Sequence, residues 1–381
     1  MSAVYLDYNA TAPVRPEAAA AVARAFVTGG NPSSVHATGR AARAIVEEAR
    51  NAVAALIGGP ASTVIFTSGG TEANALAIES AVATGSKRLI VSAIEHDSVL
   101  ESAKASGAQV EFLPVGGQGL ADLDWLAERL ARWDAADGRP FVALMHANNE
   151  TGVIQPVREA SEIVRGAEGW LHVDAIQTAG KIMTDSRALG ADTLVVSAHK
   201  LGGPQGVGAL TFGPRATMVR RQHGGGQERG RRAGTENVAG IAGFGAAALA
   251  AMKDRQIQAA WRDATAERMK AAGAVVIGED APRLANTLCA ATADWGAELQ
   301  VMAMDLAGIM VSAGSACSSG KVKASHVLTA MGLGDLAGCA IRISGGWATT
   351  QEDWAACAQA WEQVHSRHAA RRRAPAARGG S

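Results

Sequence analysis

From about residue 40 to residue 250, short apolar runs alternate with helix-forming stretches, and this alternation is the strongest constraint on the fold. The apolar runs include RLIVSA, VEFLPV, FVALMHA, WLHVDA, TLVVSA and GALTF, and helical patterns such as GRAARAIVEEARNAVAALIG lie between them. Strands that alternate with helices favour a largely parallel sheet with helices on both faces. We therefore predict an α/β fold whose ligands gather beyond the carboxyl ends of the strands.

Near residue 250 the pattern changes. The stretch AAALAAMKDRQIQAAWRDATAERMKAAG predicts one long helix that leads into a smaller α+β region. We predict a large domain over residues 14–251 and a small domain formed by residues 1–13 and 252–366. Residues 367–381 are rich in Arg, Ala and Gly and are predicted to be a disordered basic tail. A tail that contacts nucleic acid is the alternative.

Composition excludes several classes of protein. Lys plus Arg equals Asp plus Glu at 36 each, so no global charge favours nucleic acid or an acidic membrane. No apolar run reaches 18 residues, and the N-terminus does not have the pattern of a secretory signal. The four cysteines form no CxxC pair, which argues against a disulfide framework or a zinc site. The expected compartment is the cytoplasm.

Two strand ends carry the residue pair that pyridoxal phosphate (PLP) chemistry needs. Asp174 follows the apolar run WLHV, and Lys200 follows TLVV within SAHKLGGPQGVG. A lysine amine can bond covalently to the aldehyde of PLP, and a carboxylate can hold its pyridinium nitrogen. The alternative is that both are ordinary polar residues at strand ends.

Two glycine-rich segments are candidate anion sites. In SGGTEANA, Gly70 and Thr71 lie where a strand turns into a helix, and free N–H groups there favour a phosphate. A simple capping turn is the alternative. The segment HGGGQERGRRAGTEN, residues 223–237, has too few apolar residues to be core, and three consecutive glycines favour close approach to an anion. A flexible basic loop is the other interpretation.

Three further residues are candidates for chemistry. His96 follows RLIVSA and is suited to stack on a cofactor ring and move protons, or is a surface histidine. Asn149 follows FVALMHA and is suited to bind a ring hydroxyl or a substrate carboxylate, or serves a turn. Cys317 lies among small residues in GSACSSG, which indicates a reachable nucleophile on a loop rather than a core cysteine; a tolerated surface cysteine is the alternative.

Taken together and in order, these motifs closely resemble the cysteine desulfurases of the NifS/IscS type, in the class V aminotransferase group of fold-type-I PLP enzymes. The resemblance covers nearly the whole chain except the tail. It runs through YLDYNATAPVRPEA, NPSSVHATGR, TSGGTEANALA, EHDSV, NNETGVIQP, HVDAIQTAGK, SAHKLGGPQGVGAL, GGGQERGRRAGTENVAG, GSACSSG, SHVLTAMG and IRISGG.

The resemblance implies a role for each matching residue. Lys200 would bond to PLP, Asp174 would pair with the pyridine nitrogen, Gln177 would lie by the phenolic oxygen, and His96 would stack on the ring. The phosphate would be held by Gly70, Thr71, Ser197 and His199, and by Thr235 from a second subunit, which makes a homodimer part of the prediction. Asn149 and Arg342 would bind the substrate carboxylate, and Cys317 would accept the sulfur.

The implied reaction converts L-cysteine to L-alanine and leaves a persulfide on Cys317. The sulfur would pass to an iron–sulfur scaffold or a sulfur-carrier protein, with a transient iron–sulfur contact through Cys317 as the implied metal interaction. No membrane and no direct nucleic-acid partner are expected. A selenocysteine lyase or an aminotransferase on the same scaffold is the rival, as is a non-catalytic member. Two groups could take the proton of Cys317: His96, or the cofactor with its bound substrate. The choice between them is open.

Three departures from the family pattern are visible: ASHVL in place of PSHVL, DYNAT in place of DNNAT, and SGGW in place of SLGR at residues 344–347. None removes an implied catalytic group. The last removes an arginine near Arg342 and bears on contacts at the edge of the substrate site.

Overall fold

The structure is a computed structural model that describes residues 3–254, 257–314 and 324–373. The helices found there are α1 (Pro16–Thr28), α2 (Ala37–Leu56), α3 (Gly70–Ala83), α4 (Asp97–Ala105), α5 (Leu123–Ala131), α6 (Val157–Gly166), α7 (Val238–Ala251), α8 (Ala259–Ala271), α9 (Ala297–Leu306), α10 (His326–Ala330) and α11 (Gln351–Arg373). The strands are β1 (Val4–Tyr5), β2 (Ile65–Thr67), β3 (Arg88–Ser92), β4 (Gln109–Leu113), β5 (Phe141–Ala143), β6 (Trp170–Asp174), β7 (Thr193–Ser197), β8 (Gly208–Phe212), β9 (Val275–Val276), β10 (Thr287–Ala291), β11 (Ile309–Met310), β12 (Ser312–Ala313) and β13 (Ala340–Ser344).

Side-chain caps define where several helices begin. Asp122 accepts a hydrogen bond from the Trp125 N–H at the start of α5, and Asn237 accepts one from the Gly240 N–H at the start of α7. Each cap satisfies a backbone donor that the first helical turn leaves without an acceptor. Pro16 opens α1, where its missing N–H costs nothing.

The described residues form two compact units. The large unit comprises residues 11–149 and 153–255, and the small unit is drawn from residues 1–10, 150–152 and 256–381.

A seven-stranded sheet forms the centre of the large unit, in the order β2-β8-β7-β6-β5-β3-β4. All its pairs are parallel except those of β8, which runs antiparallel to β2 and β7. Ile90 of β3 packs in one apolar cluster with α2, α5, α6 and α7, whereas Leu89 and Val91 pack in another with α3 and α4. Because successive side chains of a strand point to opposite faces, helices cover both faces, and the predicted α/β fold is confirmed.

The small unit contains a four-stranded antiparallel sheet in the order β12-β13-β10-β9, and a parallel pair of β1 with β11. Its core includes the fully buried indoles of Trp354 and Trp361 on α11, together with residues of α8, α9 and β13.

Two expectations about helices were wrong. The predicted long helix is two helices, because α7 ends at Ala251 and α8 begins at Ala259. Asp254, just beyond the end of α7, forms an ion pair with the buried Arg15. The predicted disordered tail starts too early, since α11 continues to Arg373 and Arg372 pairs with Asp294 at 3.1 Å. Within the described ranges, no helix has the length and apolar character to cross a membrane.

Candidate active site

Asp174 and Lys200 lie at the ends of two neighbouring parallel strands. Asp174 is the last residue of β6, and its register partner on β7 is Val195. Lys200 ends a short helical turn, residues 198–200, that follows β7 directly. The Asp174 side chain is buried and that of Lys200 is half-buried. The carboxyl ends of both strands therefore meet at the same edge of the sheet, where such folds bind ligands.

Two N–H donors orient the Asp174 carboxylate. Its Oδ1 accepts from the Ile176 backbone N–H at 2.9 Å, and its Oδ2 accepts from Asn74 Nδ2 at 2.9 Å. Gln177 follows on the same turn, is buried, and accepts from Lys181 Nζ at 3.2 Å. A carboxylate held in this way is suited to face a pyridinium nitrogen.

Glu95 is a buried acid close to this carboxylate. Burial, and then the negative charge of Asp174, raise the pKa of Glu95 well above its usual range. Its Oε1 accepts from the Met145 backbone N–H. The raised pKa favours the protonated form of Glu95.

The N-terminus of α3 lies beside the end of β7. A Cβ added at Gly70 would lie 2.2 Å from Ile176 Cδ1 and 3.7 Å from Ser197 Cβ, so a larger residue would not fit. Thr71 occupies the first turn of α3 and is exposed, while the Ser197 side chain is buried. First-turn N–H groups with two hydroxyls nearby form a site for a phosphate.

His199 is a neutral group at this edge. Burial, with a smaller effect of the Lys200 charge, lowers the pKa of His199 to about 4. Its Nδ1 lies 3.2 Å from Thr11 Oγ1. It would therefore contribute a neutral imidazole to a phosphate site. Together, the strand-end carboxylate, the lysine amine and the phosphate site at the helix N-terminus fit PLP.

His96 and Asn149 follow strands β3 and β5 at this same edge of the sheet. His96 caps α4, its Nδ1 accepts from the Ser98 N–H at 3.1 Å, and its ring is exposed. Asn149 is half-buried.

The loop of residues 223–237 is anchored by ion pairs. Arg50 forms a buried two-pronged pair with Glu228, and Arg232 Nε donates to Glu72 Oε1 at 2.8 Å in the first turn of α3. Thr235 is exposed on this loop. Its reach to the phosphate of a second subunit stays a prediction.

In the small unit, Arg342 on β13 is buried and oriented by Asp7. Arg342 Nη2 donates to Asp7 Oδ1 at 2.8 Å, and Asp7 Oδ2 accepts from Ser312 Oγ at 2.7 Å. Cys317 lies outside the described residues, so its predicted role and its transient iron–sulfur contact are not placed. In the part of the chain that the structure describes, no group of three or more His, Cys, Asp or Glu residues forms a metal site.

The SGGW departure has a local reason. A Cβ at Gly345 would lie 2.1 Å from Gln258 Oε1 and 3.1 Å from Trp354 Nε1. Trp354 Nε1 donates to that same oxygen at 3.0 Å. The space that a leucine would need at position 345 is therefore taken by this hydrogen-bonded pair.

Sequence reasoning missed four polar residues around Asp174 and His96. They are Asn74, Glu95, Ser98 and His172. A detectable signal exists for two of them, because Asn74 interrupts the apolar stretch ANALAI of α3 and His172 interrupts the apolar strand run WLHV. Buried polar groups need hydrogen-bond partners, so such interruptions indicate a specific contact.

Comparison with known proteins agrees with this geometry. The family model described as aminotransferase class-V matches residues 4–356. The cysteine desulfurase IscS of Dictyoglomus turgidum is 40% identical over 365 residues, which cover 92% of this chain and 91% of that protein. The cysteine desulfurase of Cereibacter sphaeroides is 42% identical over 343 residues, 87% of each chain.

Solved structures give the same result. The NifS-like protein of Rickettsia africae superposes with a TM-score of 0.87 at 32% identity, covering 96% of this chain and 99% of that one. The predicted fold type I, the PLP cofactor and the family resemblance are confirmed. The chain therefore belongs to the class V aminotransferase family of PLP-dependent enzymes and, within that family, to the cysteine desulfurases.

Proposed function

We propose that the chain removes sulfur from L-cysteine with Lys200 as its proton-transfer base and Cys317 as its sulfur acceptor. The observation that carries the proposal is the placement of Asp174 and Lys200 at adjacent strand ends, beside the N-terminus of α3. Relatives named cysteine desulfurase, at about 40% identity, support the same reaction.

Bound PLP supplies an electron sink for the negative charge that develops at the substrate Cα. Lys200 would hold PLP through its Nζ and, as a free amine, would take the proton from the substrate Cα. The Asp174 carboxylate, oriented by Ile176 and Asn74, would hold the ring nitrogen. Asn149 and Arg342 bind the substrate carboxylate, and Asp7 holds Arg342 in place for that contact.

Cys317 then accepts the sulfur as a thiolate. Its Sγ attacks the substrate sulfur, so that an S–S bond forms while the Cβ–S bond of the substrate breaks. The electron pair of the broken bond stays with the carbon, which is protonated and leaves as L-alanine. The persulfide on Cys317 is passed on by thiol exchange with an acceptor protein, for which an iron–sulfur scaffold or a sulfur carrier is suited.

The test is alanine and sulfide release from L-cysteine in the presence of a reductant, comparing wild type, Cys317→Ser and the control Cys339→Ser. We expect Cys317→Ser to retain the visible absorption of bound PLP but to release neither product. Cys339→Ser should behave like wild type. If Cys317→Ser still releases alanine, Cys317 is not the acceptor, and an aminotransferase or lyase reaction replaces the proposal.

A homodimer and a cytoplasmic location complete the proposal. The exposed position of Thr235 on an anchored loop supports its contact with a second subunit. Light scattering of the full chain that finds only a monomer would contradict the dimer.

A further inference from the structure

Asn74 is a completely buried polar residue on α3 that contacts three polar side chains of the large unit. Its Nδ2 lies 2.9 Å from Asp174 Oδ2 and 2.9 Å from Ser98 Oγ. Its Oδ1 lies 3.0 Å from His172 Nε2. The carboxamide therefore uses both of its N–H donors and its acceptor at once.

The direction of these hydrogen bonds follows from Asn74 Nδ2, which donates to the Asp174 carboxylate. The Asn74 Oδ1 atom that faces His172 can only accept, so the His172 ring carries its proton on Nε2 and donates it to Asn74 Oδ1 at 3.0 Å. The His172 Nδ1 atom of the neutral ring therefore accepts from Thr193 Oγ1, 2.9 Å away. Thr193 Oγ1 also accepts from Trp170 Nε1 at 3.0 Å, because a hydroxyl oxygen has two lone pairs. Burial lowers the pKa of His172 to about 3, so the imidazole stays neutral.

The same amide orientation extends to His96. Because an ionised carboxylate only accepts, the Asn74 NH₂ group must face Asp174. Its second N–H donates to Ser98 Oγ at 2.9 Å. The Ser98 backbone N–H donates to His96 Nδ1, so that nitrogen accepts, and the Ser98 hydroxyl 2.9 Å away donates to it as well. His96 Nδ1 is thus an acceptor, and the proton of the neutral ring is on Nε2.

We propose that Asn74 is a positioning residue that holds the Asp174 carboxylate directly and that supports, through the Ser98 hydroxyl, the His96 tautomer which the Ser98 backbone N–H also favours. The inference rests on the proposed roles of Asp174 and His96 toward PLP. One consequence is that the neutral His96 ring carries its proton on Nε2. A second is that loss of Asn74 removes one of the two donors that orient Asp174, whereas loss of the Ser98 hydroxyl leaves the Asn74–Asp174 hydrogen bond in place.

The first experiment measures the affinity of the full-length apoprotein for PLP by fluorescence titration. Asn74→Leu keeps the number and branching of the side-chain heavy atoms but removes the donor to Asp174. We expect its affinity for PLP to fall at least about tenfold, equivalent to 1.4 kcal/mol. Ser98→Ala leaves the Asn74–Asp174 bond intact and should stay within about twofold of wild type. Equal affinities for Asn74→Leu and wild type, or equal losses in both variants, would overturn the proposal.

The second experiment needs no variant, so it remains decisive if Asn74→Leu does not fold. Nitrogen-15 NMR of the wild-type holoenzyme should find Nε2 of His96 and of His172 protonated and both Nδ1 atoms unprotonated. A protonated Nδ1 on either ring would refute the hydrogen-bond direction. If the wild-type protein binds PLP and releases alanine but the two experiments give the contrary results, only the role of Asn74 is contradicted. If the wild-type protein does not bind PLP, the proposed function itself is contradicted.

Discussion

Removing the Glu228 carboxylate tests what holds the loop of residues 223–237 to the large unit. Arg50 Nη1 and Nη2 donate to the two Glu228 oxygens at 2.7 and 3.0 Å, and the Phe66 N–H donates to one of them at 3.0 Å. The side chains of Arg50 and Glu228 are only 5% and 2% exposed. Glu228 also has a φ of +46°, a left-handed conformation that costs a non-glycine residue free energy. The three hydrogen bonds therefore stabilise a strained segment.

The expected cost of Glu228→Ala follows from what it leaves behind. A buried ion pair that loses one partner destabilises a protein by about 3–5 kcal/mol. Loss of the acceptor for Phe66 is part of the same change, and an unsatisfied buried N–H costs about 1–3 kcal/mol. The double variant Arg50→Met with Glu228→Leu leaves no buried charge from this pair. The polar groups that then lose a partner are the Phe66 N–H and the Val64 carbonyl, which accepts from Arg50 Nη1 at 2.9 Å. We expect the double variant to be less destabilised than Glu228→Ala alone.

Urea unfolding of the apoproteins, followed by tryptophan fluorescence, measures these differences without a contribution from bound cofactor. With a slope of about 3 kcal/mol per molar urea, Glu228→Ala should lower the midpoint by about 1–1.7 M. Glu47→Ala is the control, because Glu47 also contacts Arg50 but is 46% exposed and should cost less than about 1 kcal/mol. A Glu228→Ala loss below about 1 kcal/mol, or a double variant that is no more stable than Glu228→Ala, would refute the reasoning.

Two further predictions concern buried titratable groups. Burial raises the pKa of both Cys289 and Cys357 to about 12. In a Cys317→Ser background, neither thiol should therefore react with a thiol reagent until the protein is unfolded. Rapid labelling of either cysteine in the native protein, located by peptide mass mapping, would contradict this. For His172 the folded pKa of about 3 lies below the unfolded value of about 6.5, so its contribution to stability is complete above pH 6.5 and is lost as the pH falls toward 3. His172→Gln should therefore reduce the pH dependence of the unfolding free energy by up to about 1.4 kcal/mol per pH unit between pH 6 and pH 4. If urea titrations give the variant and the wild type the same pH dependence, the prediction is wrong.

Local patterns in the sequence predicted the large-unit fold and the strand-end candidates well. The apolar runs that became β6 and β7 place polar residues directly after each strand, and parallel neighbours bring such ends together. For this reason Asp174 and Lys200 could be paired before any coordinates were known. Helix continuity could not be predicted in the same way, because residues 252–254 have no strong helix breaker, and the ion pair of Asp254 with the distant Arg15 is not visible in the sequence.

The sequence by itself determined the order of the strands, the family and the candidate residues for binding PLP, because each depends on local periodicity or on a contiguous motif. Only the tertiary structure decided how those residues are held. Asn74 meets Asp174 from 100 residues away, and Arg50 meets Glu228 from 178 residues away. A polar residue within an apolar run of the sequence indicates that it needs a hydrogen-bond partner in the folded chain, but it does not indicate which residue that partner is. The hydrogen-bond direction that links Trp170 to Asn74 exists only once the chain has folded.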